Sequence, residues 1–158
     1  MKLSFKNEHI IPELKSVTGL QAIGELVEHL VSVGTLSKQS AEPIACAIRQ
    51  RENLMSTGLG FGIAIPHAST PLITESLMAF GRSPKGIDFD SLDQQPVRLV
   101  VLVVVPAREK EKNFLTLARI ARFLHSKAIR DALEKADDAV SISNILNETQ
   151  LLPAGCTI

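Results

Sequence analysis

The sequence predicts an α/β or α+β domain with helices on either side of a buried sheet. Residues 97–105, "VRLVVLVVV", are apolar, β-branched and almost without alternation, the pattern of a central strand covered on both faces. Amphipathic helical patterns precede this strand at 18–33 and follow it in the last third of the chain. Nothing between them is repetitive, low in complexity or long enough to be a linker, so 1–158 reads as a single domain.

The elements follow in order. Thr18 and Gln21 have capping-box spacing; Leu20, Ile23, Val27, Leu30 and Val31 recur on one face; Gly34 is the stop. A second helix spans about 38–53, with Ile44, Ala45 and Ile48 inward and Cys46 as core packing. Pro43 falls harmlessly in its first turn if Ser40 is the cap, and removes an internal hydrogen bond if Ser37 is. After the glycines at 58, 60 and 62, "IAI" at 63–65 reads as a short buried strand and 76–82 as another, with 83–96 turn-rich. Pro106 ends the strong strand, and "REKEK" at 108–112 reads as a solvated loop. Three helical patterns close the chain. The first is striped by Phe114, Leu117, Ala121 and Leu124. The second is capped by Ser126, with Ile129, Leu133 and Ala136 inward. The third is capped by Asp138, with Val140 or Ile142 and then Ile145 and Leu146 inward. His9 and His29 read as surface positions, and Cys156 lies in the tail.

Composition excludes several functions. Lys+Arg and Asp+Glu both number 17, and Trp and Tyr are absent. The chain therefore lacks the positive field and the stacking platforms that nucleic acid requires. "LVVLVVV" is too short to span a bilayer, and the N-terminal residues lack a signal-peptide pattern. Two cysteines without metal-type spacing suggest a reducing compartment, no metal site and no cofactor. A cytoplasmic domain is expected.

One stretch carries chemistry. In "GLGFGIAIPHA", 58–68, glycines expose backbone N–H groups and a histidine follows a strand directly behind Pro66. No Gly-Lys-Ser/Thr follows, and the glycines lead into a strand rather than a helix, so nucleotide binding is disfavoured. A neutral imidazole can attack phosphorus and hold a phosphoryl group. His67 is the candidate nucleophile, Arg51 the candidate cation, and Ser56, Thr57 and the loop amides candidate hydrogen-bond donors. A packed histidine behind an ordinary turn is the competing reading. Asp88 and Asp90 in "GIDFD" read as turn and strand residues rather than as an acid–base pair.

The longer string "RENLMSTGLGFGIAIPHA", 51–68, closely resembles the active-site segment of enzyme IIA domains of the bacterial phosphoenolpyruvate-dependent sugar phosphotransferase system, of the fructose/mannitol type and its nitrogen-related relatives. "GIDFDSLDQQPVRLVVLVVVP" and "LARIARFL" resemble the family's next two blocks. The resemblance implies a three-layer α/β/α domain around a mixed sheet. It implies His67 as phosphate acceptor, Arg51 as supporting cation, and a small histidine phosphocarrier protein as donor. The onward partner it implies is a sugar-specific IIB component or, in nitrogen-related members, a set of regulatory target proteins. Many members carry a second histidine where Asn113 stands; Asn113 can donate a hydrogen bond but cannot titrate. Phe61 and Ser69 replace residues that are often polar and basic. A sugar-transport phosphocarrier and a regulatory protein-binding module, with phosphotransfer weakened or lost, are the readings in play.

Overall fold

The structure, a computed structural model, describes residues 4–148, so Cys156 lies outside the described residues. The elements are β1 (Ile10–Ile11), α1 (Gly19–Ser32), α2 (Lys38–Leu54), β2 (Gly58–Gly60), β3 (Ile63–Ala64), β4 (His67–Thr70), β5 (Leu77–Ile87), β6 (Val97–Pro106), α3 (Lys110–His125), α4 (Lys127–Lys135) and α5 (Ala139–Glu148). The strands form one mixed sheet in the order β1-β5-β6-β3-β2, with β4 also against β6.

β6 explains the layering. Val100, Leu102 and Val104 point to one face, where Ile23, Leu26 and Leu30 of α1 and Ile44 and Ile48 of α2 meet them. Leu99, Val101, Val103 and Val105 point to the other, against Ile120 and Leu124 of α3, Leu133 of α4 and Ile142 and Leu146 of α5. The strand is apolar throughout because both faces are covered. Each such side chain contributes about 1.5–3 kcal/mol when fully buried. The result is the expected three-layer α/β/α arrangement around a mixed sheet.

Local signals explain most of the helices. Thr18 and Gln21 form a reciprocal capping box at α1. At α2 the cap is Ser37, whose hydroxyl accepts from the Ser40 N–H at 3.2 Å; Pro43 therefore lies inside the helix and its turn lacks one hydrogen bond. Asp138 caps α5 by accepting from the Ser141 N–H at 2.7 Å. Ser126 precedes α4 without a side-chain capping bond.

Several expectations are corrected. Cys46 is exposed, because one residue past Ala45 turns the side chain about 100° off the buried face. Leu20 and Phe114 are exposed, since the buried stripes run through Ala22, Ile23 and Leu26 in α1 and through Asn113, Thr116, Ile120 and Leu124 in α3. β5 continues to Ile87 through an irregularity between Arg82 and Ile87, taking in the first part of the turn-rich segment. "REKEK" is a short 3-10 turn running into α3 rather than a loop.

His9 is buried, not on the surface. Its Nδ1–H donates to the Met78 carbonyl at 3.1 Å and its Nε2 accepts from the Thr35 hydroxyl at 2.8 Å. His29 is half-buried, its Nε2 on the Glu8 carbonyl at 2.7 Å. Arg82 is also buried. Its Nη1 donates to the carbonyls of Leu133, Glu134 and Ala136 at 2.9, 3.1 and 2.6 Å, and its Nε donates to the Pro12 carbonyl at 2.9 Å. One guanidinium thus serves the orphan carbonyls at the end of α4 and ties that helix to the N-terminal segment. Arg82→Met should lower stability by about 2–4 kcal/mol, read as a lower urea midpoint with an unchanged slope.

Candidate functional site

β3 and β4 run along β6 in a single register. Ile63 pairs with Leu99 and Ala64 with Val100; His67 pairs with Val103 and Ala68 with Val104. They are one strand line interrupted at Ile65 and Pro66, so His67 begins a strand rather than trailing one. The alternation that buries Ile63 and Ile65 beneath α3–α5 directs His67 to the same side.

A chain of hydrogen bonds fixes the interruption. Glu52, buried in the last turn of α2, accepts from the Thr57 N–H at 2.8 Å and from the Thr57 hydroxyl at 2.6 Å. The Thr57 carbonyl accepts from the Ile65 N–H at 3.2 Å. The Ile65 carbonyl accepts from Nδ1 of His67 at 2.8 Å. With the proton on Nδ1, the lone pair of Nε2 is left open.

The glycines serve the hairpin joining β2 to β3. Gly60, Phe61 and Gly62 all have positive φ, at 90°, 55° and 75°. At Gly58 a Cβ would stand 2.2 Å from Ser91 Oγ and 3.0 Å from its Cα, so only glycine fits. The exposed Phe61 ring lies edge-on to His125, with 5.3 Å between centroids, and the Arg130 guanidinium sits 5.1 Å from its centroid. Arg130 also donates to the carbonyls of Leu124 and His125, so the hairpin tip is clipped to the α3–α4 junction.

Electrostatics favour a neutral ring. The pKa of half-buried His67 is lowered from its ordinary value, first by burial and then by the positive charge of Arg51; the Ile65 carbonyl and Glu52 oppose this without overcoming it. Arg51 is half-buried and donates from Nη1 to the Met55 carbonyl at 3.0 Å. The Ser56 hydroxyl donates to the Phe89 carbonyl and accepts from the Gly58 N–H, and the Thr57 hydroxyl is held by Glu52. Both hydroxyl protons are thus engaged in building the turn. Asn113 is buried in the first turn of α3, on the face of the sheet that His67 joins, and its Oδ1 has no hydrogen-bond partner.

The structure therefore gathers Arg51, Glu52, Ser56, Thr57 and His67 around one strand interruption, with Asn113 on the covering helix. Glu52 and the Phe61–Arg130 contact were missed from the sequence. The available signal for Glu52 was a carboxylate placed five residues before a threonine; nothing in the sequence pairs Phe61 with Arg130. Asp88 and Asp90 are exposed and line a separate cleft of about 500 Å³ in which the Asp90 N–H donates to Asp88. Among the described residues no His, Cys, Asp and Glu cluster could hold a metal ion, and no helix is long and apolar enough to cross a membrane.

Residues 3–149 match the family described as phosphoenolpyruvate-dependent sugar phosphotransferase system, EIIA 2. A fructose-specific EIIA component of Haloferax volcanii is 35% identical over 127 residues, covering 80% of this chain and 81% of the relative. A nitrogen regulatory protein of Bradyrhizobium diazoefficiens is 36% identical over 139 residues, covering 88% and 89%. The crystal structure of the nitrogen regulatory protein IIA-Ntr of Neisseria meningitidis superposes with a TM-score of 0.80 at 28% identity, covering 89% of this chain and 94% of that one. The chain belongs to the EIIA 2 family of the phosphotransferase system. It is a phosphotransferase, a phosphoryl carrier in sugar uptake or regulation.

Buried His9 and half-buried His67 link stability to pH. His9 and His67 both have lowered pKa values, burial being the first cause in each. In the unfolded chain each takes its proton near the ordinary ~6.5, so protons bind the unfolded state more readily. Their contribution is present above that value and is lost as pH falls through the folded pKa values. The urea midpoint should fall between about pH 7.5 and pH 5.5, and less steeply in His9→Gln.

Proposed function

We propose that residues 1–158 act as one cytoplasmic domain that accepts a phosphoryl group on Nε2 of His67 from a histidine phosphocarrier protein. The observation behind this reading is the Nδ1–H bond to the Ile65 carbonyl, which leaves an unprotonated nitrogen on a half-buried ring beside a guanidinium. The Nε2 lone pair forms the new N–P bond while the donor's N–P electron pair returns to the donor nitrogen. Arg51 offsets the arriving charge. Ser56 and Thr57 support the phosphoryl group through the turn they hold, and the Asn113 amide donates to its oxygens from α3, with no proton to lose. Neither a metal nor a cofactor takes part. The exposed thiol of Cys46 suits a reducing compartment.

Docking surfaces flank these residues in sequence. Leu54 and Met55 follow Arg51 and are 84% and 68% exposed; Phe114 and Leu115 follow Asn113 at 68% and 70%. Apolar side chains so placed suit a protein that must bind and leave. Relatives bear both fructose-specific and nitrogen regulatory names, so the onward acceptor is a sugar-specific IIB component or a regulatory target.

Incubation with phosphoenolpyruvate, the general phosphotransferase enzyme and the phosphocarrier should give an acid-labile, alkali-stable adduct. His67→Ala should abolish it, and normal labelling of that variant would refute the assignment. Arg51→Ala should slow labelling by about 10- to 100-fold. Labelling should persist below pH ~6.5, because the ring keeps its lone pair there. Robust transfer to a IIB component would exclude a purely regulatory role.

A further inference from the structure

We propose that Glu52 is a positioning residue whose buried carboxylate both anchors the Thr57–Ile65–His67 chain and weakens the hold on the phosphoryl group. This rests on the reading of His67 as the acceptor. Glu52 is 8% exposed, and both its oxygens are held by neutral donors of Thr57. Among the described residues no Lys or Arg forms an ion pair with it. A buried carboxylate held only by neutral groups is costly. Glutamine could make the same two contacts, its carbonyl accepting from the Thr57 N–H and its NH₂ donating to the Thr57 oxygen. The anchor alone therefore does not require a charge.

The charge acts on His67. Glu52 favours the protonated ring and Arg51, its neighbour in the chain, opposes it. Phosphoryl transfer reverses the signs. The donor's N–P bond breaks with its electron pair returning to the donor, the Nε2 lone pair makes the new N–P bond, and each ring keeps its other N–H. The chain gains one net negative charge, which Arg51 attracts and Glu52 repels. A carrier must release what it accepts, and these two residues act on the phosphorylated state with opposite sign.

The test compares wild type, Glu52→Gln and Glu52→Asp. Two measurements are made: the transfer equilibrium with phosphorylated phosphocarrier, and the His67 ring titration by NMR. Removing the charge while keeping the contacts should shift the equilibrium about three- to tenfold toward the phosphorylated chain, and should lower the His67 pKa. Those opposite movements are the signature of a field, since a loosened site would lose both phosphoryl affinity and ring order. Glu52→Asp breaks the Thr57 contacts but keeps the charge, so its urea midpoint should fall while its equilibrium stays nearer wild type than that of Glu52→Gln. An unchanged equilibrium in Glu52→Gln, or one shifted toward the free chain, overturns the proposal. A wild type that takes no phosphoryl group overturns the phosphocarrier reading and this one with it, before any variant is compared.

Discussion

β3 and β4 lie along β6 with one constant offset, and between them the Pro66 carbonyl still accepts from the Val103 N–H at 3.0 Å. Proline has no N–H to give to β6, while the Ile65 N–H points the other way, to the Thr57 carbonyl, in line with the β2–β3 pairing. The Thr57 N–H is taken by Glu52, and the Ile65 carbonyl takes the imidazole proton of His67. The buried bonds between Glu52 and Thr57 hold this arrangement in place, because Thr57 is the partner of the Ile65 N–H.

The sheet makes the interruption tolerable. β6 is buried on both faces and is held on its other edge by the long antiparallel pairing with β5, so losing one rung beside Pro66 does not loosen it. Buried polar groups are placed in the fold under one rule, that each such atom meets a partner. Arg82 satisfies the carbonyls at the end of α4, and His9 lies between a carbonyl and a hydroxyl. The Asn113 Oδ1 is an exception, and it lies on the helix that covers the His67 side of the sheet.

Phe61 shows how a side chain is accommodated in the left-handed region. A phenylalanine with φ of 55° is strained, and the strain is offset by the Arg130 guanidinium on its ring face and the His125 ring at its edge. The hairpin that leads to His67 is thereby fixed at its tip as well as at its base. Much of the ring stays in solvent.

What could be read from the chain alone was whatever depends on neighbours in sequence. The two-sided apolar run of β6, the capping box of α1 and the Asp138 cap act over a few residues, and the string 51–68 places Arg51, Ser56, Thr57 and His67 in one local segment. Contacts between distant residues decided the rest. Cys46 faces solvent and His9 faces the core because of how whole helices and segments are rotated against the sheet. The cap of α2 fell to Ser37, whose hydroxyl accepts from the Ser40 N–H, although Pro43 then removes a hydrogen bond inside the helix. The role of Glu52 was invisible for the same reason: a carboxylate in a polar-looking stretch becomes an anchor only when the fold closes over it and excludes water.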